Sequence, residues 1–195
     1  MEKVKDTNNA SSENNFLQVC RKCEFCCCQN ARPPITQKRK RLIEKYLAAQ
    51  GLRIETPFDE TTCTFLRETS DGFCVLFDKE TGKCLVHSVK PETCVAGPIT
   101  FDINLQTGKI EWFLKSEGIC PLAGILYKDK YVLEKHLSSA RKELQTLVQE
   151  LDAETLCALL KIEEPETFKI GEDSLSPEIL EKITEKISSH CTSYK

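Results

Sequence analysis

A chain of 195 residues and 22.1 kDa, 40% apolar and 29% charged, has the size and composition of one folded domain with an appendage. These figures exclude collagen-like and wholly disordered chains, and no apolar run approaches the roughly eighteen residues that a membrane span needs. A net charge of −3 points to no class of partner, so the informative number is the twelve cysteines.

The first residues, Met1-Glu-Lys-Val-Lys-Asp-Thr-Asn-Asn9, contain no apolar segment of the secretory kind, so a reducing, cytoplasmic setting is expected. Thiols there are more often metal ligands or catalytic groups than disulfides. Residues 1–15 are predicted to be a disordered tail, 16–128 a cysteine-cluster metal-binding domain and 129–195 a helical C-terminal extension. Nine cysteines precede residue 95, and only Cys120, Cys157 and Cys191 follow it.

The block from Cys20 to Cys28 ends at Arg32-Pro33-Pro34, where no helix continues. Thr36 then reads as the N-cap of a helix carrying Leu42, Ile43, Tyr46 and Leu47 and stopped by Gly51. Its first turns hold Lys38, Arg39, Lys40 and Arg41, which the helix dipole disfavours unless an anion lies nearby. From Cys63 to Cys94, short apolar runs (Cys63-Thr-Phe-Leu, Cys74-Val-Leu-Phe, Cys84-Leu-Val) alternate with Asp71-Gly72 and Thr81-Gly82 turn signals. Ile99–Ile103 and Lys109–Leu114 are predicted strands of a hairpin. Beyond Pro121 the pattern is helical. Leu133, Leu137, Ala140, Leu144, Leu147, Val148 and Leu151 recur at helical spacing, a shorter helix starts at Asp152, and the last begins at Ser176-Pro177. The expected fold class is α+β: a metal-centred core with short strands and a hairpin, followed by amphipathic helices.

Chemistry concentrates in Cys20-Arg-Lys-Cys23-Glu-Phe-Cys26-Cys27-Cys28. Two residues between thiols let a tight turn aim both sulfurs at one metal, a spacing shared by zinc and iron–sulfur sites. Consecutive side chains diverge, so Cys27 or Cys28 must serve a second centre or stay free. Cys63, Cys74, Cys84 and Cys94 follow at intervals of ten, nine and nine residues. With Cys20, Cys23, Cys26 and Cys27 they supply enough thiols for two tetrathiolate sites, or for one with thiols to spare. Cys120, before Pro121, is either an outlying ligand or a structural thiol. Cys157 reads as core and Cys191 as incidental. Residues 20–53 carry nine Lys and Arg against two acids. Arg21, Lys22, Arg32 and Lys38–Arg41 could offset thiolate charge, or form a solvated helix face. No aromatic interleaving supports nucleic-acid binding.

This pattern resembles the zinc- or iron-chelating CxxCxxCC (YkgJ-like) cysteine-cluster family. The opening block matches at Cys20, Cys23, Cys26 and Cys27. The later segment runs from Cys74 through Gly82, Cys84, His87 and Lys90-Pro91 to Cys94, with Pro98 beyond. Cys63 sits where the family often has a further cysteine, and Cys120-Pro121-Leu-Ala-Gly124 resembles the family's Cys-Pro-Gly ending. Lys90, Val95 and His87 depart from the usual Arg, Arg and Tyr. The resemblance covers about residues 20–124 and implies chelation of zinc or iron, with iron–sulfur relatives that include flagellin lysine methylases.

The expected function is therefore that of a metal-binding protein holding an iron–sulfur cluster, 4Fe–4S favoured, in electron transfer or as an accessory to the modification or maturation of another protein. The alternatives are a zinc-stabilised protein-binding module and a lysine methylase-like subunit, although no Gly-rich loop between a strand and a helix supports the latter. A protein partner is expected, and neither a membrane nor a nucleic acid.

Overall fold

The computed structural model describes residues 18–20, 23, 27–60, 64–162 and 166–190. The tail over 1–15, Arg21, Lys22, Cys26, Cys63 and Cys191 lie outside the described residues. Among the described residues, no helix is long and apolar enough to cross a membrane.

Strand β1 (Pro34–Ile35) leads into helix α1 (Gln37–Ala49). Thr36 caps α1 as expected, its Oγ1 accepting from the Arg39 amide at 3.0 Å. Gly51 follows the helix with φ +67°, a conformation that costs glycine little. α1 buries Ile43 and Leu47 and leaves Leu42 exposed. Strands β2 (Phe58–Glu60) and β3 (Thr64–Leu66) join β1 in a small antiparallel sheet of order β1-β3-β2. β4 (Phe77–Asp78) and β5 (Lys83–Cys84) form a two-stranded ribbon around the Gly82 turn. Of the predicted apolar runs, Cys74-Val-Leu-Phe is not one strand. Its first residues turn, with the Phe77 amide donating to the Cys74 carbonyl at 2.9 Å. These pieces share a small core of Ile35, Ile43, Leu47, Leu66, Cys74, Leu76 and Val86.

A 3-10 turn (His87–Val89) and the short helix α2 (Glu92–Ala96) connect this unit to the hairpin. β6 (Ile99–Asn104) pairs with β7 (Lys109–Lys115) in register Ile99↔Leu114 to Asn104↔Lys109, as the sequence predicts. β7 alternates in burial, sending Ile110, Trp112 and Leu114 inward. Helix α3 (Pro121–Lys128) starts on Pro121. Helix α4 (Lys130–Glu150) is capped by Asp129, and α5 (Ala153–Leu160) by Asp152. The final helix is α6 (Pro177–His190).

The extension from residue 129 is not purely helical. It contributes strand β8 (Thr167–Ser174), which pairs with the outer edge of β7 to give a sheet of order β6-β7-β8. A register shift at Trp112/Phe113 bends this pairing. Ion pairs lace the edge, with Lys169 Nζ at 2.8 Å from Glu111 and 2.6 Å from Glu172. The Trp112 indole donates to Asp173 at 2.6 Å. The sheet packs on α3 to α6 through a larger core, in which Trp112, Leu126, Leu144 and Leu147 are fully buried, and this core crosses residue 128.

Candidate metal centre

Each described candidate cysteine is held by ordinary local structure. Cys20 and Cys23 share a turn, with the Cys23 amide donating to the Cys20 carbonyl at 3.3 Å. Cys27 and Cys28 lie in the next turn, and Cys28 accepts the Cys74 amide at 2.8 Å, tying the opening block to the later segment. Cys84 ends β5, opposite Phe77. Cys94 sits within α2, and Cys120 caps α3 after a turn in which its amide donates to Ser116. Cys20, Cys23, Cys27, Cys28, Cys74, Cys84, Cys94 and Cys120 form no disulfide. Cys157 is buried in the larger core, as expected, but is disulfide-bonded rather than a free thiol.

The fold gathers these thiols into one neighbourhood. Cys20 lies within electrostatic reach of Cys27, Cys120 and Cys23. Cys94 lies within reach of Cys27, Cys84 and Cys74. Cys27 and Cys94 keep solvent-accessible surface although protein surrounds them closely. Burial pushes the Cys94 thiol up to about 12 and the Cys74 thiol to about 11. Cys27 moves the other way, to about 6, chiefly because Cys28 donates a hydrogen bond to its sulfur, with Lys90 and Lys115 assisting. Among the described residues, no three Cys, His, Asp or Glu side chains are already closed into a metal cage. Cys26 and Cys63 stand outside that comparison. The donor set nonetheless suits the chemistry: soft sulfurs, eight of them unbridged, favour zinc or iron–sulfur ligation over hard cations. Cys74 also faces Glu68, whose buried Oε1 has no hydrogen-bond partner.

Among the described residues, Arg32 and the Lys38–Arg41 run do not supply the cations that act on the thiols, and Arg21 and Lys22 lie outside those residues. Arg32 pairs with Asp59 at 2.5 Å, and Lys40 with Glu60. Arg39 turns inward to Glu92, at 3.5 Å, and to Glu143. Glu92 is 2% exposed and accepts from the Thr36 hydroxyl at 2.7 Å, so it is the anion that the basic start of α1 requires. Lys90 and Lys115 take the expected role instead. Lys90 acts on Cys20, Cys27, Cys84 and Cys94, and Lys115 on Cys27. A cation beside a thiolate favours its charged form, so replacing Lys90 with Gln should weaken metal retention about tenfold in a chelator competition, the usual scale for an outer-shell partner. His87 is exposed on the 3-10 turn.

A further contact holds α2, the helix that carries Cys94, in place. His136 of α4 places Nε2 at 3.1 Å from the carbonyls of both Ala96 and Gly97, at the end of α2. Burial, with Lys90 nearby, lowers its pKa below the ordinary 6.5 despite these bonds. The folded state therefore binds this proton less well than the unfolded chain. The sign follows: stability is fully present above the ordinary histidine value and declines as pH falls below it. Thermal melts between pH 7.5 and 5 should show that decline, and His136→Phe should flatten it.

Comparison with known proteins agrees with this chemistry. A family described as a "Putative zinc- or iron-chelating domain", CxxCxxCC, matches residues 19–121. Uncharacterized protein MJ0661 of Methanocaldococcus jannaschii is similar, at 29% identity over 116 residues, covering 52% of this chain and 57% of the relative. The chain thus spans little more than half the length of that relative. No solved structure matches. With more than half of its residues inside the match, the chain belongs to the CxxCxxCC family.

Proposed function

We propose that this protein holds an iron–sulfur cluster on thiolates drawn from Cys20, Cys23, Cys26, Cys27, Cys63, Cys74, Cys84, Cys94 and Cys120, and serves electron transfer or the modification or maturation of a protein partner. The observation that carries this reading is the surplus of unbridged thiols around Lys90, more than one tetrahedral ion takes up. When bound, a cluster supplies one-electron chemistry at a potential tuned by charge, hydrogen bonds and exposure. The chain's own contribution is to orient the sulfurs through the Cys28–Cys74 backbone bond and α2, and to set Lys90 and Lys115 against the thiolates.

A second reading is a zinc-stabilised module that docks a protein. It draws on the outer face of α1, where Lys38, Arg41 and Lys45 flank the exposed Leu42. Anaerobic purification with an absorption spectrum and iron, zinc and sulfide analysis tests the choice. Brown protein with equimolar iron and sulfide is the expected result. Colourless protein with stoichiometric zinc favours the module, and bound S-adenosylmethionine favours a methylase-like subunit.

A further inference from the structure

Strand β8 lies outside the residues that the family matches, and it ends the β6-β7-β8 sheet. At eight residues it is long for an edge strand, and among the described residues no strand pairs with its outer side. The backbone groups along that side are open to another strand. Beside its start, Phe168 is 39% and Tyr127 66% exposed, and their rings meet edge to face at 5.3 Å. Exposed rings next to an open edge are the kind of surface that association covers.

An edge lysine ordinarily discourages such pairing, because the added strand leaves it unmatched. In β8 the charges match a second β8. Residues opposite each other on antiparallel strands share one face of the sheet. Lys169 and Glu172 are three positions apart, so in a regular strand they would face opposite ways. Here the register shift leaves Ile170 out of the ladder: Lys169 pairs with Phe113 and Glu172 with Glu111, two positions apart on β7. Both side chains therefore lie on one face, in keeping with their 2.6 Å ion pair. Phe168 and Asp173 share the other face, opposite Leu114 and Ile110. Two copies of β8 can then run antiparallel about a two-fold axis at Ile170–Gly171. Lys169 of each copy falls opposite Glu172 of the other, and Phe168 opposite Asp173.

We propose that the open edge of β8 joins a second copy of this chain, strand to strand, in a two-fold dimer whose six-stranded sheet is matched through Lys169 and Glu172. Such a contact is isologous and closes on itself, so it gives dimers rather than fibres. The Lys109–Glu172 and Lys169–Glu111 pairs then extend into one ladder of alternating charge across both copies. The dimer belongs to the chain's own extension and is independent of which metal the thiols hold.

The test uses the full chain, with light scattering on a sizing column over a range of concentration and hydrogen exchange read in β8. Wild type should dimerise on concentration, and β8 amides should gain protection as it does. Lys169→Glu and Glu172→Lys should each weaken the dimer about tenfold or more, because two like-charged contacts replace two opposite ones. Mixed in equal amounts, these two variants should recover a dimer, since each supplies the charge that the other lacks. Unchanged emission from the buried Trp112 checks that each variant is folded. Phe168→Asp leaves the Lys–Glu contacts alone and sets two pairs of carboxylates against each other, so it should also give monomer. Wild type that stays monomeric overturns the proposal: with β8 unprotected, the edge awaits a strand of a different protein, and with β8 protected, another segment of this chain covers it. A dimer that survives all three substitutions, or an equal mixture that stays monomeric, overturns it as well.

Discussion

Stripping the metal with a chelator should unfold residues 27–90 and leave the sheet-and-helix core standing. The smaller core contains seven buried apolar side chains among the described residues, two of them on the single helix α1 and the rest in strands of two or three residues and in turns. Such pieces bury too little apolar surface to offset the entropy of ordering them. In small zinc peptides, metal ligation contributes about 10–16 kcal/mol of folding free energy. Among the described residues, the larger core contains eighteen buried side chains on a three-stranded sheet and long amphipathic helices. Hydrogen exchange should therefore lose protection in β1, β3, β4 and β5 on chelation while β6, β7 and α4 keep theirs. Trp112, the sole tryptophan and fully buried beside Asp173, reports on the larger core alone, so its emission should not move. A simultaneous shift of Trp112 emission would show a single cooperative unit. Unchanged exchange everywhere would show that metal holds nothing together.

The second large effect belongs to Arg39. Its guanidinium is 13% exposed and sits between Glu92, which is 2% exposed, and Glu143. Glu92 already leaves Oε2 without a hydrogen-bond partner, so Arg39 is the main compensation for its charge. Arg39→Met should destabilise the protein by about 3–5 kcal/mol, the usual cost of stranding a buried charge. Because Glu92 and Cys94 share α2, metal retention should fall as well. Adding Glu92→Leu should recover much of the loss, since replacing a buried pair with apolar groups is often neutral. Denaturant midpoints of the two single variants and the double variant provide the check. Additive losses would mean that the pair is not coupled.

What the sequence revealed was local, and what it concealed depends on tertiary partners. Thr36, Gly51, Pro121 and Asp152 mark helix ends through contacts within a turn or two, so they were readable. The hairpin was readable because Ile110, Trp112 and Leu114 alternate. β8 was not, because Thr-Phe-Lys-Ile-Gly-Glu-Asp-Ser is a polar edge whose partner lies some sixty residues away, as the Trp112–Asp173 bond illustrates. Its one signal was Lys169 and Glu172, complementary to Glu111 and Lys109 across the sheet. The cysteine pattern was readable as metal chemistry, since spacing alone restricts what thiols can do. The assignment of cations was not: Lys38–Arg41 form a conspicuous run, yet Lys90 and Lys115 face the sulfurs. Nothing in a linear run tells which of its members turns toward Glu92 or Glu60. Cys157 shows the same limit, since an apolar helical context predicted burial correctly and said nothing about a disulfide.

Differential alkylation, with each thiol located by peptide mass spectrometry, bears most directly on the idea that separated sulfurs meet around an inorganic centre. In metal-loaded protein, Cys20, Cys23, Cys27, Cys74, Cys84, Cys94 and Cys120 should resist the reagent together and become reactive together when the metal is withdrawn. Equal labelling of these residues with and without metal, or their recovery as covalently bridged pairs, would contradict it.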